Sequence, residues 1–175
     1  PPFTPPHSTI PILASVTPQE VEQLIHSAPS KFSPLDIIPI SLLKQCADLL
    51  STPISHLANR SFATGRFPSS FKFGLVSPLL KKPGLNVADY KNFRPITNLT
   101  TISKLLERLA LARVKSFITS SPNFCPLQSA YRSSHSTETA LVKIMDDILS
   151  DIDQGSVVSL DISAAFDAIC HKTFI

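Results

Sequence analysis

Ser159-Leu160-Asp161-Ile162-Ser163-Ala164-Ala165-Phe166-Asp167 is the stretch whose reading decides the fold. Val157, Val158 and Leu160 make a short β-prone strand that ends on the Asp161 carboxylate. The small residues Ser163, Ala164 and Ala165 let a helix begin tightly behind it. A carboxylate at a strand end suits a hard cation, because rigid backbone fixes the oxygen while the strand end stays open. The local pattern also fits a plain helix cap, the more frequent use of Asp before Ser. Phe166 on its own reads first as a core aromatic.

Upstream of that block the pattern is mainly helical. Residues 1–16, with Pro1, Pro2, Pro5, Pro6 and Pro11, form an extended lead-in. Thr17-Pro18-Gln19-Glu20 is a capping box with Pro at the first helical position, and Val21, Leu24, Ile25 and Ala28 follow at helical spacing. After the turn Ser33-Pro34-Leu35-Asp36, a second helix is expected at about 39–50, burying Leu42, Leu43, Cys46, Leu49 and Leu50. Ser51-Thr52-Pro53 is expected to start a third, with Ile54, Leu57, Ala58 and Phe62 on one face and Gly65 as its cap. The period then changes. Residues 73–80 read as a strand, Lys81-Lys82-Pro83-Gly84 as a turn, and Phe93 to Thr97 as a returning strand. Two long helices are expected next, one over 101–118 on Ile102, Leu105, Leu106 and Leu109. The other is capped by Ser136 and striped by Leu141, Ile144, Met145, Ile148, Leu149 and Ile152.

Composition narrows the function classes. Sixteen prolines against four glycines suit many short, punctuated elements. No run approaches the roughly 20 apolar residues of a membrane span, so no membrane partner is expected. Cys46, Cys125 and Cys170 lie far apart, without the spacing of a zinc site or a disulfide framework. The net charge of +3 hides an asymmetry: Arg60 to Lys115 holds 11 Lys or Arg against Asp89 and Glu107. A basic middle suits contact with phosphates, though a solvated basic surface has the same composition. Asp146, Asp147, Asp151 and Asp153 read as the wet face of an amphipathic helix and are assigned no site.

Leu160-Asp161-Ile162-Ser163-Ala164-Ala165-Phe166-Asp167 resembles the first palm motif of LINE-type (non-LTR) retrotransposon reverse transcriptases. Other segments match in order. Ser33 to Pro39 with Leu43-Lys44 looks like that family's N-terminal extension motif. Phe67-Pro68, Val76 to Pro83 and Tyr90 to Ile96 are similar to its fingers motifs, and Gln128 to Arg132 with Ser136-Thr137 to the next block. The resemblance implies an α+β chain: a mainly helical N-terminal part, a fingers β-ribbon and the first strand of a polymerase palm, an incomplete right-hand fold. Its divisions would be a lead-in to 16, a helical extension over 17–66, fingers over 67–154 and the start of the palm over 155–175.

The same resemblance assigns roles. Asp161 would be catalytic and, with the Ile162 carbonyl, would lie at two Mg²⁺ ions. Phe166 would select deoxynucleotides by blocking a ribose 2′-hydroxyl. Arg94 would clamp the triphosphate, with Lys82 or its neighbour Lys81 as companion. Gln128 and Arg132 would lie near template and fingers. The implied partners are an RNA template, a DNA primer and deoxynucleoside triphosphates, in cytoplasm and nucleus.

Some positions depart from the family pattern. Ala130-Tyr131 stands for the usual Gly-Phe, and Ile169-Cys170-His171 for the usual Val-Asp-His. The family's Tyr-x-Asp-Asp turn and Gly-rich template segment are not in the sequence, which runs 14 residues past Asp161. The expectation is a polymerase fragment, inactive alone, with a non-catalytic nucleic-acid-binding retroelement remnant as the alternative.

Overall fold

The computed structural model describes residues 12–31, 33–151, 158 and 160. The chain forms two compact units, dividing between Phe124 and Cys125.

In the first unit, Thr17 caps helix α1 (Pro18–Ser27): its Oγ1 accepts from the Glu20 N–H at 3.2 Å, and Pro18 takes the first turn. Val21 and Ile25 are fully buried, as the spacing predicts. The next helices differ from expectation. Helix α2 (Ile40–Gln45) stops at Cys46, and helix α3 runs unbroken from Ala47 to Thr64, through Pro53. Proline removes the hydrogen bond to the Leu49 carbonyl. Both Leu49 and Pro53 are on the exposed side, where water can hydrate that carbonyl. The break at Cys46 shifts the phase of the stripe, so Leu43 and Ala47 are buried while Leu42 and Leu49 are exposed.

The face that α3 buries is Ser51, Ile54, Ser55 and Ala58. These are mostly small, so α1 can approach closely, and the two helices form the main helix–helix contact of the unit. Ser51 and Ser55 satisfy their hydroxyls on the carbonyls of Asp48 and Thr52 in their own helix. Gly65 ends α3 at φ 63°, a left-handed cap that favours glycine. Asn59 fastens the lead-in: its Oδ1 accepts from the Val16 N–H at 2.7 Å and its Nδ2 donates to the Val16 carbonyl at 2.9 Å.

Helix α4 (Thr101–Ser120) closes the core with Leu105, Leu106 and Leu109. Three contacts from distant segments fix its start. Ser33 donates to the Leu99 carbonyl at 3.0 Å. Asp36 accepts from the Thr101 N–H at 2.6 Å and from the Thr101 hydroxyl at 2.7 Å. Ser103, fully buried, donates to the Phe71 carbonyl at 2.9 Å, which leaves Thr100 as the donor in their 2.6 Å hydroxyl contact. Thr100 and Asp36 thus divide the orphan N–H groups of the first turn between them.

Further along α4, Arg113 uses every donor of its guanidinium. Nη1 and Nη2 fork onto the Glu20 carboxylate at 2.9 and 2.8 Å. The remaining N–H groups reach the carbonyls of Leu109, Ser15 and Ala14, and the guanidinium carbon stands 5.5 Å from the centre of the Phe62 ring. One side chain ties the lead-in, α1, α3 and α4 together. These hydrogen bonds hold the Glu20 carboxyl below the ordinary carboxylate value, against the opposing effect of partial burial; the charge of Arg113 and the Thr17 N–H act in the same lowering direction.

Between α3 and α4 lies a two-stranded antiparallel ribbon, β1 (Leu75–Leu80) and β2 (Phe93–Asn98), with Leu75 opposite Asn98 and Leu80 opposite Phe93. Helices with this small sheet give the α+β class that the sequence suggests. Pro78 stands opposite Pro95. The Lys81 N–H donates to the Asn92 carbonyl at 2.8 Å, and counting back from that bonded pair puts the prolines in a non-bonded pair. Neither proline costs a ladder bond, and both block the outer edges.

In the second unit, Ser136 caps helix α5 (Thr137–Asp151), exchanging bonds with Thr139: its Oγ accepts from the Thr139 N–H at 3.2 Å and its own N–H donates to Thr139 Oγ1 at 2.9 Å. Leu141, Ile144, Met145 and Leu149 are exposed, as are Asp146 and Asp147. Of the strand expected before Asp161, Val158 and Leu160 are described and exposed, and the rest lies outside the described residues.

Replacing Arg113 by Ala should lower the unfolding free energy by about 2–3 kcal/mol in urea titrations, less than the roughly 3–5 kcal/mol of a fully buried pair because Glu20 retains solvent contact. R113K should recover little, since an ammonium cannot fork. The Glu20 contribution should be complete above the ordinary carboxylate value near 4.5 and fade as pH falls through its lower folded value, a trend that E20Q removes. A loss under about 0.5 kcal/mol in R113A would mark Arg113 as an ordinary surface cation.

D36A should cost about 1–2 kcal/mol and speed hydrogen exchange at the Thr101 amide, with D36N intermediate. Unchanged protection of that amide would show that Thr100 caps α4 alone.

Candidate nucleotide and nucleic-acid site

The ribbon decides how the basic middle of the sequence is presented. Its base is held tightly: a Cβ added at Gly74 would come within 2.5 Å of Thr97 Cγ2, so the chain before β1 can lie against β2 only as glycine. Its tip, residues 81–92, is ordered by local side-chain bonds. Asn86 Oδ1 accepts from the Ala88 N–H at 2.9 Å, Asp89 Oδ1 from the Lys91 N–H at 3.0 Å, and Asn92 Nδ2 donates to the Asn86 carbonyl at 2.9 Å. Gly84 turns the chain at φ 82°.

Register then sorts the candidate residues. Arg94 is paired with Leu79. Lys81 continues β1 by one ladder bond and lies two positions beyond Leu79, hence on the same face as Arg94. Diagonal neighbours of this kind have Cβ atoms about 7–8 Å apart, within reach of two long cationic side chains. Lys82 follows in the turn, beyond the last ladder bond. All three are exposed, and no ion pair with an acid is recorded for them among the described residues. The opposite face is apolar, a shallow cleft lined by Val76, Pro78, Phe93 and Pro95 from the strands and by Val87 and Tyr90 from the connection.

In the second unit, Gln128 and Arg132 fold onto their own loop. Gln128 Nε2 donates to the Ala130 carbonyl at 3.1 Å, and Arg132 Nη1 to the carbonyls of Pro126 and Gln128 at 2.7 and 3.2 Å. Tyr131 carries φ 62°. An aromatic residue held there stores strain on the order of 1 kcal/mol.

Asp161, Ile162 and Phe166 lie outside the described residues. Among the described residues, no group of three or more His, Cys, Asp or Glu side chains is placed to hold a metal ion, and no helix is long and apolar enough to cross a membrane.

One cation of the basic middle has a different use from the one its composition suggests. Arg113 is saturated by Glu20 and three carbonyls and has no donor left for a phosphate. Sequence gave one half of the clue, the Glu of the Thr17 capping box; nothing local links it to an arginine in another helix.

Residues 80–175 match the family described as Reverse transcriptase (RNA-dependent DNA polymerase). The chain is 28% identical over 163 residues to the probable RNA-directed DNA polymerase from transposon X-element of Drosophila melanogaster, covering 89% of this chain and 18% of that protein. It is 27% identical to the corresponding protein from transposon BS of the same organism, over 98% of this chain and 19% of that protein. The RNA-directed DNA polymerase from mobile element jockey, also of Drosophila melanogaster, is 27% identical over 91% of this chain and 18% of its own length. The chain therefore spans less than a fifth of each of these relatives. No solved structure matches it. The matched segment begins at the end of β1 and takes in the ribbon tip, Arg94, α4 and the Asp161 block, and on that match the chain belongs to the reverse transcriptase family, of the LINE type that its motifs resemble.

Proposed function

We propose that this chain supplies the triphosphate grip and the first metal-binding carboxylate of an RNA-directed DNA polymerase that copies an RNA template onto a DNA primer. The observation that carries this reading is the ribbon register, which puts Arg94 and Lys81 on one face inside the segment that matches the family. A guanidinium forks onto two phosphate oxygens, and an ammonium beside it adds charge without directional demand. Together they neutralise an incoming triphosphate while leaving its sugar and base free to meet the template. Lys82, on the turn, is the second candidate for the companion role.

Reverse transcriptases use divalent metal ions, and in this reading the ions are Mg²⁺. Asp161 and the Ile162 carbonyl offer hard oxygen donors of the kind Mg²⁺ prefers. When bound, the ions supply the charge that aligns the primer 3′-hydroxyl with the triphosphate. Phe166, five residues on from Asp161, is proposed to exclude a ribose 2′-hydroxyl, and Gln128 and Arg132 to border the template. The arrangement is that of fingers followed by the start of a palm in a right-hand polymerase. Such an enzyme works where its RNA and target DNA meet, in cytoplasm and nucleus.

The 175-residue polypeptide should not extend a primer with Mg²⁺, because in this reading Asp161 is the one side-chain carboxylate it offers to a two-metal site, and such a site needs more. It should still bind triphosphate. Photocrosslinking of an azido-deoxyuridine triphosphate should label the ribbon, and R94A should reduce labelling by on the order of tenfold, the value of one charge-assisted contact. R94K should restore less than half, and K81A should reduce labelling more than K82A. Labelling that survives R94A unchanged would remove Arg94 from the site.

A further inference from the structure

A second cationic feature lies at the foot of the ribbon. The loop after α1 and the first turns of α4 enclose a cleft of about 80 Å³, bordered by Ala28, Pro29, Thr101 and Leu105 and by the cations Lys31, Lys104 and Arg108. Thr101, Lys104, Leu105 and Arg108 follow helical spacing and so share one face of α4. Lys44 reaches the same loop from α2, donating to Ser30 Oγ at 3.4 Å.

Among the described residues, the cleft is lined by cations and by no acid. Lys31, Lys104 and Arg108 form no recorded ion pair among the described residues. The Asp36 carboxylate beside Thr101 is engaged by that residue's N–H and hydroxyl. Glu107, next to Arg108 in sequence, makes no recorded ion pair either. Holding like charges around one concavity costs free energy unless an anion comes to it. The cleft is well below the roughly 300 Å³ at which small-molecule sites begin, so it accommodates a group and not a whole ligand. Among the described residues that line it there is no aromatic ring on which a base could stack. Its fit is therefore to a phosphate within a chain of phosphates.

Its position agrees. The pair Leu75 and Asn98 marks the foot of the ribbon, and Arg94 stands four residues further toward the tip, roughly 13 Å along the strand. A polynucleotide backbone covers that distance within a few nucleotides. We propose that Lys31, Lys104 and Arg108 grip the sugar–phosphate backbone of a nucleic acid strand, as a contact separate from the triphosphate grip. Lys31 lies outside the segment that matches the polymerase family. The inference rests on the reading that the chain handles nucleic acid.

The test uses the whole 175-residue chain and a fluorescein-labelled, mixed-sequence single-stranded RNA, followed by anisotropy from roughly 50 to 200 mM salt. The triple variant K31A/K104A/R108A should lose on the order of tenfold in affinity near the middle of that range. Its log–log salt slope should shrink by about 2, the release expected from three single-strand phosphate contacts. The control R60A/R66A/K72A removes three exposed cations that do not line the cleft and should lose less; urea titration of both variants checks that the fold is intact. Unchanged affinity and slope in the cleft variant, or an equal loss in the control, would overturn the cleft. Displacement of the RNA by equimolar deoxythymidine triphosphate would assign the cleft to free nucleotide and also overturn it. No binding of RNA by the wild-type chain would overturn the cleft and the nucleic-acid reading together.

Discussion

Five N–H groups on Arg113 decide how the first unit is assembled. Without them, α1, α3 and the lead-in meet α4 only through apolar contacts, which are non-directional and would allow the helices to slide. The fork onto Glu20 fixes the rotation of α1 against α4, the carbonyls of Ala14 and Ser15 fix the lead-in, and the Phe62 ring stacks α3 beside them. The same residue shows the cost of such an anchor. Its charge is fully used inside the protein, so it adds nothing to the basic surface that its neighbours create. At the other end of α4, Asp36 and Ser33 do for the helix start what Arg113 does for its middle. The ribbon leaves the core at that clamped junction, and the orientation of Arg94 descends from it.

Local chemistry was legible in the sequence wherever a short pattern carried its own partner. The Thr17 cap, the Gly65 stop, the two ribbon strands and the Ser136 cap all depend on residues within a few positions of each other, and all are formed. Pro53 misled because proline penalises a helix interior by an amount that packing of α3 on α1 can outweigh. The true break, at Cys46, carries no Gly or Pro to announce it. Leu42 and Leu49 look like core residues by spacing, but the register that would bury them exists only if 39–50 is one helix.

Longer-range features were not legible for a different reason. Glu20 and Arg113 are 93 residues apart, Asp36 and Thr101 are 65 apart, and Asn59 meets a backbone that has no signature of its own. The basic middle was visible as composition, yet its division into one half-buried anchor, one ribbon face and one cleft needed the helices in place. Family resemblance supplied what pattern could not. Lys81, Lys82 and Arg94 stand out through their motif, and the ladder puts Lys81 on the face of Arg94, with Lys82 in the turn beyond it.

Function in this account is that of a polymerase segment, and a segment is best judged in a complete polymerase. Residues 17–175 would replace the corresponding stretch of the transposon X-element protein, which the chain matches over 89% of its length. The chimera should extend a DNA primer on an RNA template in Mg²⁺, and D161N should abolish extension. A folded chimera that extends no primer, or one whose extension survives D161N, would contradict the polymerase reading.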